Sequence, residues 1–241
     1  MDPEKFPGLA HFLEHMLFLG TESYPENDEY DHFLAKHGGA GNAYTASLTT
    51  NFYASIADED AVLTEALTRF LEFFGNPLLF SEKYKNQAVK MDSKERHAVD
   101  SEYEMDKTDP DEMLGFVYQS IARNGSAEAQ FGIGNTVTLK DAHVEDLKKF
   151  FLEHYNPSRM HLVVVSGKTP LDALAERVAG LLSPQKAPLL HRVPHATAVF
   201  FSGIGVFFFR TSNYRFHCRT SLLMNVRSDR NVRDQFVTSK F

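Results

Sequence analysis

Gly8-Leu9-Ala10-His11-Phe12-Leu13-Glu14-His15-Met16-Leu17-Phe18-Leu19-Gly20 is the stretch on which the reading of this 241-residue chain turns. From Leu9 to Leu19 most positions are apolar and none is Gly or Pro, so a buried helix is predicted, opened by Pro7-Gly8 and ended at Gly20. His11 and His15 stand four apart, which on a helix puts both imidazoles on one face with Cβ atoms about 5–6 Å apart. That is close enough to grip one ion. Zinc takes neutral imidazole nitrogens and, in a catalytic site, keeps one position open for water. The metal draws the pKa of that water toward about 7, and a carboxylate that stays off the metal can accept its proton and later hand it to a leaving amine. Glu14, three after His11, is the candidate for that role. Chance spacing in a chain with 11 histidines is the competing reading. Against it stands the cost of burying a glutamate in an apolar helix without a partner, which a metal would supply.

Outward from this helix the chain is well punctuated. A second helix is expected over Asn27 to His37, stopped by Gly38-Gly39, and Asn42 to Ile56 reads as one or two strands. Leu63, Ala66, Leu67, Phe70, Leu71 and Phe74 keep the rhythm of an amphipathic helix that Pro77 ends. Ser81 to Met105 lacks Gly and Pro and is too long for a loop, so it is assigned to a helix. Asp109-Pro110 opens another. Thr138 is expected to cap a helix carrying Val144, Leu147 and Phe151; His161 to Ser166 is a short strand, and Thr169-Pro170 opens a helix with Leu171, Leu174, Val178 and Leu181 in register. The order predicts an α+β layer architecture.

Beyond Pro194 the pattern changes. Five Phe fall between Phe200 and Phe209, and from Arg192 onward seven Arg, one Lys and two Asp give a net charge of +6. The whole chain carries −7, so residues 1–191 carry −7 − 6 = −13. Residues 191–241 are therefore read as an atypical Phe/Arg-rich tail outside the domain of residues 1–190, with a strand pair as the alternative. The overall charge gives no support to phosphate neutralisation, so no nucleic-acid partner is expected. No apolar run reaches the roughly 18–20 residues of a membrane span, and the first residues have neither a secretory nor a transit-peptide character. A cytoplasmic protein is expected. With Cys218 as the only cysteine, any metal site must draw on histidine and carboxylate.

A third ligand has to come from elsewhere. In the long helix Glu95 and Glu102 are seven apart, two turns along one face, so one could bind a metal while the other steadies a ligand. Spacing alone does not choose among Glu95, Glu102 and Glu104, and ordinary solvated charges would look the same.

The words Gly8 to Thr21, Tyr24-Pro25-Glu26-Asn27, Asn42-Ala43-Tyr44-Thr45, Ala98-Val99-Asp100-Ser101-Glu102 and Phe131-Gly132-Ile133-Gly134-Asn135 resemble, in order, the M16 metallopeptidases. Within them the likeness is to the branch of insulin-degrading enzyme, nardilysin and pitrilysin, over residues 7 to 185. The resemblance implies a partial M16 catalytic domain, an antiparallel sheet packed against helices with the zinc site on a helix. It puts the ligating glutamate at Glu102, with His11 and His15, and gives Glu95 a supporting role that does not touch the metal. It also implies that a substrate peptide adds as a strand at a sheet edge near Asn42 and Ala43. Two departures stand out. About ten residues more than in relatives separate Pro77 from Glu95, among them Ala88-Val89-Lys90-Met91-Asp92-Ser93-Lys94, a degraded copy of the Ala98–Glu102 word. They are expected to lengthen a loop, the alternative being a displaced Glu102. The relatives are also far longer, so the chain reads as a fragment whose partner is the C-terminal half of a larger M16 enzyme. The expected function is a zinc metalloendopeptidase acting on peptides or small polypeptides. The alternative is a catalytically silent peptide-binding protein on the same fold, and a processing-peptidase subunit, which shares H-x-x-E-H, is a more distant third.

Overall fold

The computed structural model describes residues 1–155, 159–183, 185–191, 205–209 and 219–227, the last two as backbone. Its elements run α1 (Leu9–Phe18), α2 (Glu29–Lys36), β1 (Ala40–Thr45), β2 (Thr49–Ala57), α3 (Asp60–Gly75), α4 (Lys85–Asp106), α5 (Pro110–Ile121), α6 (Val144–His154), β3 (Met160–Val165), α7 (Leu171–Leu181), β4 (Gly205–Phe209) and β5 (Arg219–Arg227). The strands form one sheet in the order β1-β2-β5-β3-β4, antiparallel except for the β3–β4 pair. The α+β architecture, with helices packed on an essentially antiparallel sheet, is as expected.

Period-2 burial makes one face of the sheet apolar. Phe52, Ala54 and Ile56 of β2 and Met160, Leu162 and Val164 of β3 point into the core. The helices meet that face with their own stripes: Leu63, Leu67, Phe70 and Phe74 from α3, Leu147 and Phe151 from α6. Phe52 touches both Phe18 and Phe74, at ring centroids of 5.7 and 5.2 Å, which ties α1, α3 and β2 together. In α1 itself Leu9, Phe12, Leu13, Met16 and Leu17 are all buried. At about 1.5–3 kcal/mol for each fully buried side chain, their burial outweighs the roughly 2–7 kcal/mol that an unpaired buried polar group costs. This helix can hold His11 and Glu14 inside the protein.

Three expectations change. Residues 138–143 turn before α6 begins at Val144; Thr138 joins Asn135, whose Oδ1 accepts from the Val137 and Thr138 N–H groups at 2.9 Å each. The local Asn turn outcompeted a helix start there. The extra residues before Glu95 form no loop, because α4 runs unbroken for 22 residues and absorbs them as additional turns. Glu102 is not displaced. The tail expected to stand apart contributes β4 and β5 to the sheet, with β5 between β2 and β3 in the register Asn51↔Asn225 and Val163↔Leu223. These pairings link residues more than 50 apart in sequence, which no local period reveals.

Candidate metal centre

The start of α1 is built by a crossing of two backbones. Gly8, the residue before the helix, has φ +91°, and a Cβ on it would lie 2.2 Å from Cα of Gly134, itself at φ +81°. Only glycines allow the 131–135 loop to pass this close to the helix. Asp2 supplies the helix start with acceptors that no neighbouring side chain offers: its two carboxylate oxygens accept from the N–H groups of Gly8 and Ala10, at 2.7 and 2.8 Å. Burial nonetheless raises the Asp2 pKa. The loop is pinned in turn to α4, because Asp100 accepts from the backbone N–H and hydroxyl of Thr136 at 2.8 and 2.9 Å. These bonds hold the Asp100 pKa below the usual range.

The loop then reaches the first histidine. His11 Nδ1 lies 2.7 Å from the Ile133 carbonyl oxygen, so it donates there and Nε2 faces the other way. His15 repeats the arrangement, with Nδ1 3.5 Å from Glu95 Oε2. The two Nε2 atoms converge to 3.2 Å, and Glu102 Oε2 stands 3.4 Å from each. Glu95 and Glu102 both face α1, as two positions seven apart on one helix face should. Glu104 does not: it pairs with Lys107 at 2.6 Å on the exposed side. Arg96 helps seat α4, bonding to the carbonyls of Leu139 and Ala142 and to Asp92 while lying over the Phe12 ring of α1.

His11, His15 and Glu102 are the group among the described residues whose donor atoms all lie close enough to share an ion. Their triangle has sides of 3.2, 3.4 and 3.4 Å. A tetrahedral zinc ion with ligand bonds of 2.0–2.1 Å separates its ligands by about 3.3–3.4 Å, so the donor set and its spacing both fit zinc. The electrostatics agree. Burial works against a charged His15, yet Glu102 and Glu95 raise its pKa to about 9, and Glu102 with the Ile133 carbonyl raises that of His11 against the same opposition. Glu102 is held well below the ordinary carboxylate range by the two imidazoles. Both histidine shifts reflect the carboxylate charge gathered beside the two rings.

Glu14 is 7% exposed and stands outside this triangle. Its Oε2 accepts from the Thr45 hydroxyl at 2.6 Å, and burial raises its pKa despite that bond. Asn42 and Ala43 lie on β1, which pairs only with β2 among the described residues. The Ala43 N–H donates to Asn42 Oδ1 at 2.8 Å and not to a further strand. A cleft of about 810 Å³ joins this edge to the three donors, with Tyr44, Phe116 and Phe150 in its walls.

Sequence reasoning brought His11, Glu14, His15, Glu95 and Glu102 to one place and missed Asp2, Thr45, Asp100 and the Ile133 carbonyl. The Phe131–Asn135 word was a signal for the last of these. Its two glycines mark a close backbone approach, though not to which partner.

A helix-borne His/His/Glu cluster able to hold a metal, beside an open sheet edge, defines a class of α+β domain, and comparison with known proteins narrows it. Residues 1–120 match the family model described as insulinase, peptidase family M16. The chain is 38% identical over 178 residues to insulin-degrading enzyme-like 2 of Arabidopsis thaliana, covering 71% of this chain and 17% of that protein. It is 37% identical over 190 residues to mouse insulin-degrading enzyme, covering 76% and 18%, and 36% identical over 190 residues to human nardilysin, covering 76% and 16%. The crystal structure of pitrilysin superposes with a TM-score of 0.59 at 31% identity, covering 74% of this chain and 18% of that one. The chain belongs to peptidase family M16. It spans less than a fifth of the length of these relatives. No helix among the described residues is long and apolar enough to cross a membrane.

Proposed function

We propose that this chain is a catalytic domain of a zinc metalloendopeptidase that hydrolyses bonds within peptides or small polypeptides. The observation that carries the proposal is the 3.2–3.4 Å donor triangle with a fourth carboxylate, Glu14, beside it and held off it. His11, His15 and Glu102 would hold the metal. Glu95 and the Ile133 carbonyl fix the two imidazole rings through Nδ1, so that both Nε2 atoms converge on Glu102 Oε2, where an ion would be held. Zinc, when bound there, supplies the Lewis acidity that activates water and polarises a scissile carbonyl.

The rest of the chemistry belongs to the protein. A peptide lies along the open edge of β1, where its backbone takes the Ala43 N–H in place of Asn42 Oδ1. Backbone pairing supplies affinity with little demand on side chains, which suits a protease of broad range. Glu14 takes a proton from the attacking water and returns it to the departing amine. Its raised pKa favours the first of these transfers, the acceptance of the proton. The greater length of the relatives offers further substrate contacts, so a full-length partner half is part of the proposal.

Metal analysis and a quenched-fluorescence peptide assay, run with and without a chelator, test this reading. About one zinc per chain and chelator-sensitive cleavage are expected. Glu14→Gln should keep the zinc and lose cleavage by about 10²–10⁴-fold. Full cleavage by that variant would refute the role of Glu14. Zinc bound without cleavage of any peptide would favour a peptide-binding role on the same fold.

A further inference from the structure

The first helix and the β1–β2 hairpin meet at one hydrogen bond whose polarity is determined. Thr45 Oγ1 lies 2.6 Å from Glu14 Oε2 and 3.2 Å from Thr50 Oγ1. A hydroxyl carries a single proton, and the short contact to a carboxylate claims it. Thr45 therefore accepts from Thr50, and the pair forms a short relay aimed at Glu14. Hairpin geometry sets this up. Ala46 N–H bonds to the Thr49 carbonyl at 2.8 Å, which makes Thr45↔Thr50 the adjacent non-hydrogen-bonded pair, where cross-strand side chains come closest. Thr50 is buried, whereas Thr45 is partly exposed at the wall of the cleft.

Glu14 shares its helix face with His11 and His15, one step from a centre that already holds the Glu102 carboxylate. A free carboxylate there has a competing fate, which is to swing onto the ion as a fourth protein ligand and fill the position that water needs. We propose that Thr45 is a positioning residue that holds the Glu14 carboxylate off the metal and aimed at the water position. The bland reading of the same bond is a tie that merely fastens the hairpin to α1. The two differ in what happens at the metal when the bond is removed. The proposal rests on the peptidase reading of the site only for its kinetic arm; the coordination arm stands without it.

Thr45→Val removes the hydroxyl and keeps the β-branched shape suited to a partly exposed strand end. With cobalt in place of zinc, the visible bands of the variant should shift, because a carboxylate takes the place of water among the ligands. In the peptide assay kcat should fall about ten- to a hundredfold with KM within about threefold. Thr45→Ser should restore both. In a Glu14→Gln background Thr45→Val should leave the cobalt spectrum unchanged, since the amide has no charge to bring to the metal. A Thr45→Val protein with the parental cobalt spectrum and kcat would overturn the proposal, and so would a spectral change that persists in the Glu14→Gln background. Thr45→Ala gives the same readouts if the Val variant misfolds. Absence of cleavage by the unaltered chain would sink the peptidase reading alone, and the cobalt comparison would still decide the role of Thr45.

Discussion

Replacing Glu95 by Gln keeps the shape of the side chain and removes the charge that stands 3.5 Å from His15 Nδ1. The Glu95 side chain is only 13% exposed, so solvent does little to make up for the loss. Glu95 itself does not reach the donor triangle, whose sides of 3.2–3.4 Å are closed by Glu102. On the proposed ligand set, zinc would therefore keep all three ligands and lose only the partner that orients one of them and makes it more basic. Such outer partners are worth about 10–100-fold in metal affinity, or about 1.4–2.7 kcal/mol. Glu102→Gln removes a ligand. With roughly 10–16 kcal/mol of zinc binding shared among a full set of four ligands, its loss is worth about 2.5–4 kcal/mol, roughly 70- to 900-fold. Competition against a chromophoric chelator, read as zinc Kd for the parent and the two variants, separates the roles. A Glu95→Gln protein that binds zinc as tightly as the parent, or as poorly as Glu102→Gln, would refute the division of labour between the two glutamates.

Gly8→Ala should lower the melting temperature by at least about 2–8 °C, because an αL residue with a Cβ costs about 1–2 kcal/mol and this Cβ also lies 2.2 Å from Gly134 Cα. Zinc affinity should fall with it, since the Ile133 carbonyl moves with the 131–135 loop; an unchanged melting curve would show that the two backbones are not in contact. His154 supplies a pH dependence. Burial, then the Met1 amine and the Arg159 guanidinium, lowers its pKa to about 4, whereas the unfolded side chain titrates at about 6.5. Between these values the unfolded chain binds more protons, so the contribution to stability is complete above about pH 6.5 and is lost as pH falls toward 4. It amounts to at most about 2–3 kcal/mol, and denaturant unfolding of chelated protein should show this slope flattened in His154→Gln. Identical slopes for parent and variant would remove His154 from the account.

What was legible in the sequence was what depends on local period. His11, Glu14 and His15 share a face because four residues advance an α-helix by little more than one turn, and an uninterrupted apolar run guaranteed that the helix would be buried. Glu95 and Glu102 shared a face for the same reason. Which glutamate meets the metal was not legible from spacing, since that depends on how far α4 slides along α1, and the slide is set by Arg96 on the 139–142 turn and by the Asp100–Thr136 bonds. The extra residues before Glu95 looked like a threat to that register. They lengthen α4 at its far end and leave the register at the site untouched, because a helix grows along its axis.

The sequence by itself determined the pair of histidines on one face, the apolar helix that carries them, and the family to which the chain belongs. The tertiary structure alone decided the groups that make those donors a centre: the Ile133 carbonyl 122 residues from His11, the Thr45 hydroxyl 31 residues from Glu14, and Asp2 at the head of the helix. It also decided that Arg219–Arg227 lies inside the sheet. The physical reason is the same in each case. Hydrogen bonds and strand pairings across long stretches of chain leave no period in the sequence, and they exist only after burial has brought the partners together.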